Sequence, residues 1–409
     1  MSQSSQNSKA ITEKLPNLTI KGQVLELQCY SNISAITSLE DEWQALEQIN
    51  TEDFTYFQNY NWCIEYFRQF ADDVSDKHCP IPRVFVLRKD NKPIMIWPMM
   101  RVQSRTGLKL LMAATEPLGQ YCNLIFDPAA FNAEIGQATL NLIIENSKSD
   151  AASLNYYPKD CMIDKIIGER GIKENSTLEA SILDFTQYKS WEAYSSTLSK
   201  GQRKERRRNK NKLEAKGDLT CDVHFAGTKQ YETLIALALK LKSQWLEQTG
   251  RKPGLLASQE TKAMFRNLDV SQSNSETVPL VHALYVDGKP IAIEIGMIDA
   301  DRYYSYLGAI DWEWKDFGPG KVQMAMAQEW CMEKGIKYFD LLHDPSEYKH
   351  SWTNHTHTVL TRNIPITFKG YVYSKLWKTY IRPKMKSIYH FAGAKNRDRI
   401  NKFAKIFSK

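Results

Sequence analysis

The phrase "DNKPIMI" begins at Asp90, and a near copy, "DGKPIAI", begins at Asp287. Each follows a β-rich run ("RVFVLRK" and "VHALYV") and precedes another. A turn pair, then Lys-Pro, then alternating apolar residues predicts a β-hairpin both times. The surroundings repeat as well. Ahead of the first hairpin lie a strand, "QVLELQCYS", and an amphipathic helix with Leu39, Trp43 and Leu46 on one face. Beyond it come further strands, a helix at 130–146 and the strand "AASLNYY". The second hairpin has "DLTCDVHFA" and the helix "YETLIALALKLKSQWLEQ" ahead of it, and a strand at 302–310, a helix and "KYFDLL" beyond it. This order predicts a duplicated α/β domain, and 409 residues suit two domains of roughly 150–200 residues better than one core.

The expected division is a disordered tail at 1–20, a first domain at 21–185, a basic connecting helix at 186–217, a second domain at 218–370 and a basic extension at 371–409. No apolar run approaches the ~20 residues of a membrane-spanning helix. The polar start "MSQSSQNSKAITEKLPN" has no apolar core of a secretory leader. Seven scattered cysteines without a CxxC pair suit a reducing compartment, so a cytoplasmic protein is expected.

The net charge of +7 is unevenly held. Residues 200–216, "KGQRKERRRNKNKLEAK", balance to +7 and residues 371–409 to +10, which leaves −10 for the rest. Positive charge therefore sits in two elements on an acidic body. Ser199 is a cap candidate for the first and Gly217 a stop. That helix reads either as a solvated connector or as a basic helix reaching a polyanion such as nucleotide phosphates, RNA or anionic lipid. The second element interleaves Lys and Arg with Leu376, Trp377, Tyr380, Ile381, Ile388 and Phe391. It suits either packing on the body or peripheral contact with an anionic membrane.

Residues 303–352 carry the densest chemistry. In "FGPGK", Gly318 and Gly320 let the backbone approach a bound group, and Pro319 fixes the turn. A helix begins at once, so its free N–H groups, its positive end and Lys321 form a site suited to pyrophosphate, with Val322 in the same turn. The alternative is a tight turn that merely starts a core helix. This is not a GxxxxGK[ST] phosphate loop, and neither GxGxxG nor GxSxG occurs. "DAD" at 299–301 reads as a hairpin turn, and "HTH" at 355–357 lacks a third ligand, so no metal is expected.

Strand, GPGK, helix and a strand ending in "FDLLHDPSEYKHSW" resemble the carboxy-terminal signature of the CelD/BioF-like acyltransferases. The matching positions are Asp340, Asp344, Tyr348, Lys349 and Trp352, with His343 where the family commonly has Gly. The Arg-rich helix 200–216 and "YFQNYNW" at 56–62 match further family features, and the resemblance spans roughly 35–365. It implies an α/β (α+β) fold of two tandem GNAT-like domains, each a mixed, mostly antiparallel sheet flanked by helices. It also implies acyl transfer from acyl-CoA, as co-substrate, to an amine or hydroxyl of a sugar or polysaccharide precursor. In such a fold the donor inserts between two splayed strands, here expected at 302–310 and 336–342. The first unit has only "DPAAFNAEIG" before its 130–146 helix, so the donor site is expected in the second.

Acyl transfer needs a base for the attacking group and donors for an oxyanion. The candidates are His343, Asp344, Asp340 and Asp311 as bases, Tyr348 as acid or orienting group, and Lys349 as anion holder. Asp340 and Trp352 are also candidate substrate contacts. Glu294, in "PIAIEIGM", reads by strand parity as pointing outward, either lining a substrate groove or as a plain surface residue. A second reading is a Fem-type aminoacyl transferase that takes its acyl group from charged tRNA through the 200–216 helix; nucleic acid is otherwise not expected. A third is a non-catalytic basic binding module.

Overall fold

The computed structural model of the protein describes residues 12–71, 78–174, 178–268, 277–343 and 347–385. The chain divides into two units, residues 1–178 with 358–409 and residues 179–357.

The first unit opens with β1 (Thr12–Lys14), β2 (Leu18–Ile20) and β3 (Gln23–Tyr30). β1 and β2 each pair antiparallel with β3, and Leu15 between them is buried. Residues 12–20 of the expected tail are thus part of the fold, because these short segments cover β3 and Glu13 pairs with the buried Arg83 at 3.2 Å. Helices α1 (Ile33–Thr37), α2 (Glu40–Ile49) and α3 (Tyr60–Phe70) follow. Then come the hairpin β4 (Ile81–Lys89) and β5 (Lys92–Gln103), β6 (Lys109–Ala113), β7 (Ile125–Phe126), α4 (Ala133–Asn146) and β8 (Ala151–Pro158). A short helix, α5 (Met162–Ile167), and β9 (Ile172–Lys173) close this run. The strands lie in the order β3-β4-β5-β6-β8, all antiparallel except β6 with β8.

The second unit begins with β10 (Leu178–Asp184), α6 (Trp191–Thr197) and α7 (Lys200–Glu214). It continues through β11 (Leu219–Phe225), α8 (Lys229–Gln248), α9 (Gln259–Asn267), β12 (Val278–Val286), β13 (Lys289–Asp299) and β14 (Arg302–Ile310). Helix α10 (Pro319–Glu333) and β15 (Tyr338–His343) complete it. Its order is β11-β12-β13-β14-β15-β10, and β14 with β15 is again the parallel pair. The two hairpins agree down to one irregularity: the register shifts between Leu87 and Arg88 in the first and between Leu284 and Tyr285 in the second.

Two boundaries differ from the expected ones. The basic helix is no connector: α7 lies within the second unit and packs along α10, with Leu213 buried beside Val322. The expected second domain also ends too late. The segment "THTVLTRNIPIT" forms one long strand, β16 (His355–Pro365), whose residues from Thr358 belong to the first unit, where they pair with β8. A buried Ser153–Asn363 hydrogen bond of 2.8 Å joins the two strands. Helix α11 (Phe368–Val372) and a π-helical stretch (Tyr373–Ile381) then pack on the first unit, where Lys378, almost fully buried, pairs with Glu174 at 3.3 Å.

Candidate active site

The site is built where β14 and β15 part. Their parallel register holds for three pairs, Arg302 with Tyr338, Tyr303 with Phe339 and Tyr304 with Asp340. Beyond these, β14 continues along β13 to Ile310 while β15 continues along β10 to His343. The root of this wedge is held by a buried ion pair, Arg302 with Asp340 at 3.6 Å, and by Tyr303 stacked on Phe339 at 4.8 Å. Asp340 also accepts the Leu342 N–H at 2.7 Å, where the chain turns through a positive φ of 62°.

Helix α10 starts beside the wedge. Gly318 is its N-cap in the left-handed region at φ 68°, and Pro319 occupies the first helical position, where its missing N–H costs nothing. A Cβ on Gly318 would lie 2.8 Å from Asn209 Nδ2, and one on Gly320 would lie 3.3 Å from Ile310 of β14. The glycines thus let α7 and the end of β14 close on the helix start. The first turn of α10 contains no acidic residue. Its positive end is met by Lys321, whose Nζ pairs with Glu205 of α7 at 2.6 Å.

Helix α7 is fixed by a Ser199–Gln202 capping box, and Gln202 Nε2 donates to the Ser351 carbonyl at 3.0 Å. Arg206 lies 4.0 Å over the Trp352 ring. Gln202, Glu205, Arg206, Asn209, Lys321, Tyr348, Ser351 and Trp352 thereby surround one small pocket. A larger groove of about 610 Å³ runs between α7 and α10. Its lining combines Lys200, Arg203, Lys204, Arg206, Arg207 and Lys210 of α7 with Val322, Ala325, Met326 and the acidic Glu329 of α10, and with Trp191 and Ser195 of α6.

The predicted site residues separate into groups. Gly318, Gly320, Lys321 and Val322 stand together at the helix start, with Tyr348 and Trp352 beside Lys321. Tyr348 is exposed (57%), whereas Trp352 is buried under Arg206. Lys349 is buried, and its Nζ donates to the carbonyls of Leu341 at 2.6 Å and Leu342 at 3.4 Å, so it clamps the end of β15. His343 ends that strand, half-buried, and Asp344 lies outside the described residues. Asp311 caps the 3₁₀ turn Trp312–Phe317 through the Glu313 N–H and pairs with Lys289 at 3.1 Å.

Glu294 does not point outward. From Ile291 to Ile295 no residue of β13 is more than 1% exposed, so the strand is buried on both faces and parity does not distinguish them. Glu294 Oε1 accepts the Tyr303 hydroxyl at 2.8 Å and Oε2 the Ser305 hydroxyl at 2.9 Å. Burial pushes its carboxyl up to about 7, against the opposing effect of the hydrogen bonds from Tyr303 and Ser305. His282 stands opposite on β12, between Tyr303 and Trp330, and burial pushes its imidazole down to about 3. Sequence reading passed over His282 and Ser305. The available signal was a Glu and a His, each inside an otherwise apolar strand.

Residues 200–350 match the acetyltransferase (GNAT) domain model. No curated protein sequence matches the chain. Among solved structures, FemX superposes with a TM-score of 0.53 at 11% identity, covering 82% of this chain and 98% of its own. The C-terminal domain of a putative lysylphosphatidylglycerol synthetase from Agrobacterium fabrum gives 0.49 at 12% identity, covering 80% and 92%. A tandem GNAT protein from the clavulanic acid biosynthesis pathway gives 0.45 at 8% identity, covering 83% and 99%. At such identities the likeness is one of fold. The chain shares its fold with FemX, and residues 200–350 match the acetyltransferase (GNAT) domain, so an acetyltransferase-type domain stands in the second unit.

Proposed function

We propose that the second unit moves an acyl group from acyl-CoA to an amine or hydroxyl of a sugar or polysaccharide precursor, in keeping with the CelD/BioF-like signature. The observation that carries this reading is the wedge after Tyr304 and Asp340 lying beside a helix start free of acidic residues, with Gly320 against Ile310 of β14. The pantetheine arm fits the wedge, and the pyrophosphate fits the positive end of α10 and Lys321. The thioester supplies the activated acyl carbon and a thiolate leaving group. Tyr348, exposed beside Lys321, is placed to touch what binds there. Lys349 and Asp340 act by holding the end of β15.

Calorimetric titration with acetyl-CoA and longer acyl-CoAs tests this. Binding to the wild type that disappears in Gly320→Glu and Lys321→Glu is the expected result; no binding of any acyl-CoA overturns the reading. The cationic wall of the α7 groove favours one alternative, charged tRNA as donor. That alternative requires tRNA affinity that falls steeply between low and physiological salt.

Peripheral contact with an anionic membrane, on the cytoplasmic face, is part of the proposal. Among the described residues six of the eleven exposed large apolar side chains lie between Phe368 and Ile381. Phe368, Val372, Leu376 and Tyr380 recur every four residues there, flanked by exposed Lys369, Arg382 and Lys384. Such a face suits an interfacial helix. No described helix is long and apolar enough to cross a membrane. Sedimentation with phosphatidylglycerol vesicles that is lost in Leu376→Glu is the expected result.

A further inference from the structure

We propose that Ser305 takes the proton of the attacking amine or hydroxyl and passes its own to Glu294, so that a buried carboxylate serves the wedge through one hydroxyl. The inference rests on the acyl-transfer reading above and names the base that reading lacks. Ser305 is the first residue of β14 beyond the last pair with β15, and it is half-buried where Tyr303 and Tyr304 are fully buried. Its hydroxyl donates to Glu294 Oε2 at 2.9 Å, while Tyr303 occupies Oε1 at 2.8 Å. Glu294 itself is 1% exposed and reaches no acceptor directly. The hydrogen bond from Tyr303 fixes the carboxylate, which leaves the oxygen facing Ser305 as the proton acceptor.

The local sequence provides the room for this arrangement. The register between β13 and β14 shifts between Ile295 and Gly296, so that Leu307 lies opposite Ile295 and Ser305 opposite Gly296. A Cβ on Gly296 would lie only 2.0 Å from the Tyr303 hydroxyl. Glycine at 296 thus permits Tyr303 to reach Glu294.

The step balances as follows. The acceptor N–H or O–H bond breaks and its proton moves to Ser305 Oγ as the Ser305 proton moves to Glu294. The new N–C or O–C bond forms at the acyl carbon, and the C–S bond breaks to release the thiolate. The proton then returns from Glu294 through Ser305 to the sulfur, giving the free thiol and a regenerated carboxylate.

Groups facing Glu294 do not compete for this role. His282 of β12 is held neutral by burial. Tyr303, Cys331 of α10 and Cys221 of β11 are all pushed up by burial and keep their protons at neutral pH. Glu294, raised to about 7, accepts and returns a proton near neutrality.

The test is CoA thiol release from acetyl-CoA, with glucosamine as the amine probe, across about pH 5.5 to 9. Ser305→Ala and Glu294→Gln are each expected to lower kcat about 100-fold, with calorimetric acetyl-CoA affinity changed less than about twofold. The acidic limb of the kcat profile is expected to vanish in Glu294→Gln, and Ser305→Thr, which keeps a hydroxyl, to restore most of the rate lost in Ser305→Ala. Should Glu294→Gln fail to fold, the two Ser305 variants, altered at a half-buried position, decide the matter. Wild-type turnover with either single variant within about threefold of it, or an acidic limb that survives in Glu294→Gln, overturns the relay alone. A wild type that neither binds nor turns over any acyl-CoA overturns the acyl-CoA reading and the relay together.

Discussion

The same hairpin serves two purposes in this chain. Aligned on their turns and on their common irregularity, the two hairpins place Trp97 where Glu294 stands and Phe85 where His282 stands. All four side chains are buried, but the first unit spends the positions on aromatic packing and the second on a carboxylate and an imidazole. The roots of the two parallel pairs differ in the same direction. β6 meets β8 through Leu110, Leu111 and Met112 against Ala151, Ala152 and Ser153, whereas β14 meets β15 through Arg302, Tyr303 and Tyr304 against Tyr338, Phe339 and Asp340. Past its root the first unit is bridged, since Asn155 Nδ2 donates to both oxygens of Glu116 at 2.8 and 2.9 Å. Buried polar groups are costly unless partnered, so the exchange of Trp97 and Phe85 for Glu294 and His282 at matched positions is a departure of the second copy from plain packing.

The largest effect is expected at the root of the wedge. Arg302→Met leaves the fully buried Asp340 without its cation and should cost about 3–5 kcal/mol, read by denaturant unfolding. Leu110→Met, its counterpart in the first unit, should cost less than about 1.5 kcal/mol. If the two substitutions cost alike, the contrast between the roots is false.

Next comes a pH effect that the first unit lacks. The folded-state carboxyl of Glu294 titrates near about 7 against an ordinary 4.5, so the folded protein keeps a proton that the unfolded chain releases between these values. Stability contributed by this group is therefore full below about 4.5 and is lost as pH rises towards about 7, on the order of 3 kcal/mol in all. Unfolding of Glu294→Gln measured across that window should show a flatter slope than the wild type, and an unchanged slope would place the titration elsewhere.

A smaller effect is expected at the helix starts. Gly318→Ala forces an alanine to φ 68° and towards Asn209, which should cost roughly 1–2 kcal/mol in thermal or denaturant unfolding and weaken acetyl-CoA binding in calorimetry. The smallest effect concerns Glu205. α4 carries its own acid, Glu134, in its first turn, while α10 has none there and Glu205 reaches it through Lys321. Glu205→Gln should tighten acetyl-CoA binding about threefold by freeing Lys321, and Glu134→Gln should leave it unchanged.

Much of this was legible in the sequence because local chemistry decides it. The turn residues and Lys-Pro fix each hairpin, and Gly-Pro-Gly at 318–320 fixes the entry to α10, whatever surrounds them. The wedge lies between β14 and β15, at the strands 302–310 and 336–342 where the family resemblance, rather than any local pattern, put it. Three features were not legible, each for a long-range reason. Helix α7 looks solvated because its contacts, Arg206 on Trp352 and Asn209 beside Gly318, are made by polar side chains that no hydropathy pattern reports. Glu294 looked exposed because alternation identifies a face only when the other face is wet. Lys349 looked chemical because a lysine near a strand end does not reveal that main-chain carbonyls will hold it.

The partition of the strands has a consequence for how the chain is made. β16 is synthesised after the whole second unit, yet its residues pair with β8, Val359 with Pro158 and Ile364 with Ala152. A first unit emerging from the ribosome must hold the β8 edge unpaired until some 200 further residues have followed. Closing so long a loop costs little more than closing one half its length, about 0.6 kcal/mol. The delay is therefore a matter of time and exposure rather than of final stability. A chain cut after His357 would lose the β16 residues that cover the β8 edge, together with α11 and the π-helical stretch, and its first unit would be the half that aggregates.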